Sequence, residues 1–182
     1  MTTILAALLA LLTQESADPA RLFDYDRTKP LELRVVAEEK VEKVDGVTVQ
    51  DISYLSARKG RVPGYLVVPS GQGPFAGVVF MHWGQGDRTE FLSEAVLLAR
   101  RGAVSLTIDA PDNRPDVESY RFVADPEAER EGYLQLVCDL RRGLDLLASR
   151  KDVDPKRIGY VGHSLGATWG GALAGVDERF AA

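Results

Sequence analysis

Residues 162–166 read Gly-His-Ser-Leu-Gly, directly after the apolar run Ile158-Gly159-Tyr160-Val161 and directly before a stretch holding Ala167, Gly170, Gly171, Ala172 and Ala174. A G-x-S-x-G between a short strand and a small-residue helix specifies a nucleophile elbow, and it constrains this chain more than any other feature. A serine built to attack a carbonyl must stand proud of the backbone on a sharp strand-to-helix turn. Such a turn forces unusual dihedrals on the serine and leaves no room for side chains two residues before and after it. Gly162 and Gly166 stand at those two positions. Ser164 then lies at a helix N-terminus, where N–H groups without intrahelical acceptors favour developing negative charge. With Gly and Ser each near about 7% of residues, chance supplies the pattern only about 0.06 times in a chain of 182. The competing reading is a Gly-rich turn with an incidental serine, and the flanking strand and small-residue stretch weigh against it.

Upstream of the elbow the sequence follows a strand–helix–strand grammar. Ala76 to Met81 is a continuous apolar run, as expected of a strand buried on both faces of a parallel sheet. A helix is predicted over about 88–101, with Asp87 and Glu90 at capping-box spacing, Phe91, Ala95 and Leu98 on one face, and Gly102 closing it. Ala103 to Ile108 is the next strand, and a polar loop over 109–124 leads to Asp125-Pro126, a cap followed by proline at the first helical position. That helix runs to about Arg150 with Tyr133, Val137, Leu140, Leu144 and Leu147 as its apolar stripe. Asp154-Pro155 then marks a turn before the elbow strand. Nearer the N-terminus, Leu33 to Val44 is mixed, while Val47 to Ala57 and Val62 to Val68 are extended. Gly46 and Gly60 stand where tight turns would make antiparallel hairpins. The plan is α/β, a mostly parallel sheet flanked by helices with an N-terminal antiparallel hairpin region.

Composition narrows the function classes. Hydrophobic content of 45%, charged content of 27% and a net charge of −5 describe a globular chain with no basic patch for nucleic acid. One cysteine, Cys138, excludes an internal disulfide framework and a cysteine-based metal cluster, and two histidines make a multi-histidine metal site improbable. Residues 1–30 read as an apolar segment, Ile4 to Leu12, followed by a polar linker or extended arm, and residues 31–182 as the N-terminal part of an α/β domain. The apolar run is too short to span a bilayer, so no integral membrane segment is read here. It fits either a cleaved signal-peptide core or a short docked helix, which leaves export and a cytoplasmic home both open.

These residues resemble the α/β-hydrolase superfamily, and within it the dienelactone-hydrolase and acetyl-xylan-esterase-like group. The likeness rests on the elbow, on Met81-His82-Trp83-Gly84-Gln85-Gly86 after the third core strand, and on the run from Asp139 to Asp145 before Asp154-Pro155-Lys156-Arg157-Ile158-Gly159. It covers roughly residues 47–180. The resemblance implies that Ser164 is the nucleophile and that the backbone N–H of Leu165 is one oxyanion donor. A second donor is expected from the 82–86 loop, Trp83 first and Gly84 as runner-up. Two amides aimed at a tetrahedral oxygen stabilise charge that exists only in the transition state, and one such donor is typically worth about 3 kcal/mol.

The sequence departs from the family in three places. Dienelactone hydrolases carry cysteine at the elbow, whereas serine here points to ordinary ester hydrolysis. Trp83 stands where His-Gly is commoner. The family's triad follows the chain order Ser, Asp or Glu, then His, but only 18 residues follow Ser164 and none is histidine. His163 adjoins the nucleophile and should diverge from it on a tight turn. His82, Asp109 and Arg114 are candidate substrate contacts, with loop-structuring roles as the competing reading. Arg121 belongs to the same loop. The expectation is therefore an acetyl-esterase-like serine hydrolase of a small-molecule ester, without metal or cofactor. The residues given are expected to form an incomplete α/β-hydrolase fold that lacks the catalytic acid and histidine. A serine peptidase of related fold and a non-catalytic binding protein are the rival readings.

Overall fold

The computed structural model describes residues 18–36, 41–44, 46–117 and 125–182; the Ile4–Leu12 run and Arg121 lie outside them. Strands β1 (Arg34–Val35), β2 (Val41–Val44), β3 (Val47–Leu55) and β4 (Arg61–Pro69) precede β5 (Phe75–Met81), β6 (Ala103–Ile108) and β7 (Val153–Gly162). Helix α1 (Leu92–Ala99) joins β5 to β6, α2 (Pro126–Ser149) joins β6 to β7, and α3 (Leu165–Val176) follows β7. The strands form one mixed sheet in the order β1-β3-β4-β6-β5-β7, with β2 also paired to β3. Its core, β6-β5-β7, is parallel, and its N-terminal part is antiparallel.

Chain connectivity explains that division. β3 and β4 are joined by a short turn closed by Gly60 at φ 73°, a conformation suited to glycine, and pair without interruption from Val47↔Pro69 to Leu55↔Arg61. Parallel neighbours need crossovers, which the helices supply. On one face Val79, Met81, Leu106 and Ile108 pack with Leu136, Leu140 and Leu144 of α2 and Leu173 of α3. On the other, Val47, Val49, Val67 and Phe80 pack with Ala95 and Ala99 of α1. Adjacent parallel strands β5 and β7 therefore send their following helices to opposite faces. That arrangement opens a crevice beyond their C-terminal ends, where open α/β sheets bind ligands.

Three local readings change. Helix α1 starts at Leu92 rather than near residue 88, because Asp87 caps a turn through Thr89 and the Glu90 carboxylate faces away from the helix. Asp154-Pro155 lies within β7, not between elements. Phe75 pairs with Val153 and Gly77 with Ile158, so residues 154–157 bulge from the ladder. Residues 19–30, within the stretch that reads as a linker or arm, strap α2: Tyr25 donates to Asp145 at 2.8 Å, and Arg142 donates to the carbonyls of Lys29 and Pro30 at 3.1 Å each. The predicted cap of α2 forms, with Asp125 accepting from the N–H groups of Glu127 and Ala128. Beside β7, the Ala181 N–H donates to Ile158 and the Tyr160 N–H donates to Ala182, both at 2.8 Å.

Under the β6 end of the sheet, Arg114 and Asp139 form an ion pair at 2.7 Å with both side chains fully buried. Burial pushes the Asp139 carboxyl upward and the guanidinium opposes that shift. Arg114→Met should destabilise the fold by about 3–5 kcal/mol, because it strands a buried carboxylate. The double variant Arg114→Met/Asp139→Leu should recover most of the loss in urea unfolding; equal destabilisation of single and double variants would contradict this account. Cys138 is buried in the same helix and its thiol is pushed up to about 11. It should resist iodoacetamide at pH 8 in the folded protein and react once urea unfolds it; rapid native labelling would refute the placement.

Candidate active site

The elbow is built by steric exclusion. Ser164 adopts φ 50° and ψ −106°, a positive φ that a residue with a Cβ rarely holds. A Cβ at Gly162 would lie 2.5 Å from the Gly166 carbonyl carbon, and one at Gly166 would lie 2.4 Å from the Met81 oxygen. Only glycine fits at either place, as the motif requires. The turn is pinned from below: the His163 N–H donates to Met81 at 3.1 Å, and the Tyr160 hydroxyl donates to Gly166 at 2.7 Å. Burial raises the Tyr160 phenol above its ordinary range, which keeps it a neutral donor. Leu165 is the first residue of α3, so its N–H has no acceptor within the helix.

The loop after β5 faces this turn and is held at every corner. His82 is 1% exposed. Its Nδ1 donates to the Trp83 carbonyl at 2.6 Å, and its Nε2 accepts from the Ala110 N–H at 3.0 Å. Those partners fix the neutral Nδ1–H tautomer and engage both ring nitrogens. Gly86 N–H donates to the same Trp83 carbonyl at 3.0 Å, and Asn113 donates to the Gly86 carbonyl at 2.7 Å. Arg88 makes a forked contact to Asp51 at 3.0 and 3.3 Å, and its backbone N–H donates to Asp109 at 2.8 Å. Burial raises the Asp109 carboxyl, and these Arg88 contacts offset part of the shift.

One carboxylate joins loop and elbow. Glu90 Oε2 accepts from the Trp83 N–H at 2.8 Å, while Glu90 Oε1 lies 2.6 Å from His163 Nδ1. Trp83, expected as the second oxyanion donor, thus has its N–H committed to a carboxylate. That corrects the expectation and leaves Gly84, the runner-up, as the adjacent amide of the loop.

A cleft of about 460 Å³ opens over Ser164 and is lined by Trp83, Gly84, Gln85, Glu129, Tyr133, Leu165 and Thr168. Ser164, Leu165 and Trp83 all line this cleft. His82, Asp109 and Arg114, proposed as substrate contacts, do not line it; each is buried and bonded within the scaffold. Four lining residues were not anticipated: Gln85, Glu129, Tyr133 and Thr168. Tyr133 reads as part of the α2 stripe and Glu129 as a solvated helix face, yet the Tyr133 hydroxyl donates to Glu129 at 2.9 Å on the cleft wall. Tyr133 also stacks on Trp169, with ring centroids 4.1 Å apart. These two aromatics and Glu129 continue into a second cavity of about 410 Å³ lined by Leu22, Phe23 and Pro126. Nothing in the spacing of α2 marks Glu129, since its role depends on α3 lying alongside. Among the described residues, no cluster of three or more His, Cys, Asp or Glu side chains is placed to hold a metal ion, and no helix is long and apolar enough to cross a membrane.

Comparison with known proteins agrees with this architecture. No family model matches the chain. The chain is 28% identical over 158 residues to the 2,6-dihydropseudooxynicotine hydrolase of Paenarthrobacter nicotinovorans, a match covering 87% of this chain and 36% of that protein. Among solved structures, the acetyl xylan esterase of a Paenibacillus species superposes with a TM-score of 0.69 at 24% identity, covering 90% of this chain and 62% of that one. A cold-adapted esterase from an Arctic intertidal metagenomic library superposes with a TM-score of 0.62 at 25% identity, covering 78% and 61%. The acetyl xylan esterase of a Thermoanaerobacterium species gives 0.69 at 16% identity, covering 88% and 53%. The chain thus spans about a third of the curated relative and between half and two thirds of these structures. Its mixed sheet with a parallel core flanked by helices fits a partial α/β-hydrolase fold, and its neighbours are consistent with the dienelactone-hydrolase and acetyl-xylan-esterase-like group.

Proposed function

We propose that this protein is a serine hydrolase of carboxylic esters that works through an acyl-enzyme on Ser164. The observation that carries the reading is the strained serine at φ 50°, seated between two sterically obligate glycines and opening onto a cleft. Backbone strain at a cleft residue is the signature of a group held for reaction, because the fold must be organised to sustain it. Likeness to esterase structures supports the same class of chemistry.

In this reading the Ser164 hydroxyl loses its proton to a general base as Oγ attacks the ester carbonyl. The tetrahedral oxygen is received by the N–H of Leu165 and by that of Gly84. The C–O bond to the alcohol then breaks, and the proton passes to the departing oxygen. Water, deprotonated by the same base, attacks the acyl-serine and frees the acid and Oγ. Neither histidine of this chain is hydrogen-bonded to the Ser164 hydroxyl: His82 has both nitrogens bonded within the loop, and His163, whose Nδ1 meets Glu90, adjoins the serine on a tight turn where neighbouring side chains diverge. This reading puts the base and its carboxylate partner outside residues 1–182. The cleft dimensions and the Tyr133 and Glu129 wall suit a small ester whose alcohol carries hydroxyl or amine donors.

The full-length protein should hydrolyse p-nitrophenyl acetate, and Ser164→Ala should abolish the activity; turnover that survives the substitution would refute the assignment. Residues 1–182 expressed alone should show no turnover above background, because a serine without a base is a weak nucleophile. Rapid hydrolysis by that piece, lost in Ser164→Ala, would show that one of its own side chains is the proton acceptor.

A further inference from the structure

We propose that Glu90 is a positioning residue that locks the β5 loop to the elbow, acting on the reacting groups through Trp83 and His163. The inference rests on the reading of Ser164 as nucleophile. The two arms of Glu90 reach the two halves of the site. Oε2 holds the Trp83 N–H at 2.8 Å, one residue before Gly84, and Oε1 lies 2.6 Å from His163 Nδ1, one residue before Ser164. A single carboxylate thus spans the crevice between the ends of β5 and β7, and it fixes the spacing of the nucleophile and the loop that faces it.

Two further observations separate this role from ordinary helix capping. Glu90 stands at capping-box spacing from Asp87, yet the residue at the cap of α1 is Phe91, which offers no side-chain bond to the helix. The carboxylate has been diverted from a helix end to the site. Space for it is also reserved: a Cβ on Gly86 would come within 2.7 Å of both Glu90 Oε2 and Trp83 Cδ1. Glu90 does not line the cleft over Ser164, so its effect passes through the Trp83 peptide N–H and the His163 imidazole that it holds.

The chemistry predicts a distinctive kinetic pattern. Misplacing a nucleophile relative to its oxyanion donors lowers the rate of the chemical step, while the walls that bind substrate stay as they were. In the full-length protein with p-nitrophenyl acetate, Glu90→Ala should lower kcat about 100-fold with KM changed less than about threefold. Glu90→Gln keeps an acceptor for Trp83 and a partner for His163, and should restore kcat to within about fivefold of wild type. Should Glu90→Ala not fold, Glu90→Asp is one methylene shorter and should show the same kcat-selective loss. With Ser164→Ala inactive as the reference, a Glu90→Ala kcat within about threefold of wild type would overturn this inference alone. So would Glu90→Gln falling as far as Glu90→Ala, because charge rather than position would then be what matters. Activity surviving in Ser164→Ala would overturn the nucleophile assignment itself, and with it this proposal.

Discussion

The contact between the elbow and the end of β5 sets the geometry of everything around it. Gly166 rests on the Met81 carbonyl so closely that a methyl group at its position would sit 2.4 Å from the oxygen. The His163 N–H closes onto the same oxygen at 3.1 Å. Two neighbouring parallel strands are thereby drawn together where their helices part to opposite faces. A strained serine is affordable only where packing on both sides leaves it no alternative, and this contact supplies one of those sides. Tyr160, bonded to the Gly166 carbonyl at 2.7 Å, supplies another.

The loop opposite is made rigid by groups that look functional in the sequence and turn out to be scaffolding. His82 spends both ring nitrogens on backbone, Asp109 receives the Arg88 N–H, and Arg114 is consumed by Asp139 in the interior. Their bonds to backbone are what make His82 and Asp109 useful, because buried polar groups paired with loop N–H and carbonyl groups favour a single loop geometry. In the proposed reading the chemistry is left to backbone amides and one hydroxyl. That division of labour suits a transition state whose charge develops on oxygen, since preorganised N–H groups need no reorganisation as the charge appears.

Most of the fold could be read from the residues because its signals are local. The apolar run of β6, the Asp125-Pro126 cap of α2 and the glycine-marked turn between β3 and β4 each follow from neighbours within a few positions. The elbow was legible for the same reason, since Gly162, Ser164 and Gly166 exclude one another's alternatives over five residues. What escaped was long-range. The spacing of Glu90 from Asp87 fits a capping box at a helix start, while its partner His163 is 73 residues away along the chain. Trp83 reads as an oxyanion donor from its place in the loop, because nothing local shows that the same carboxylate takes its N–H. Glu129 and Tyr133 became cleft residues only once α3 was laid beside α2, an outcome that no periodicity within α2 encodes. The bulge at residues 154–157 depends likewise on register with β5.

Everything in the functional account depends on the Ser164 hydroxyl being presented to the cleft and able to form a bond there. The most direct measurement is peptide-resolved mass spectrometry of the protein after exposure to a fluorophosphonate. The account predicts one phosphonyl group, carried on the peptide that contains Ser164, and none after heat denaturation. A folded protein that stays unmodified, or that carries the group on a different residue, would contradict it.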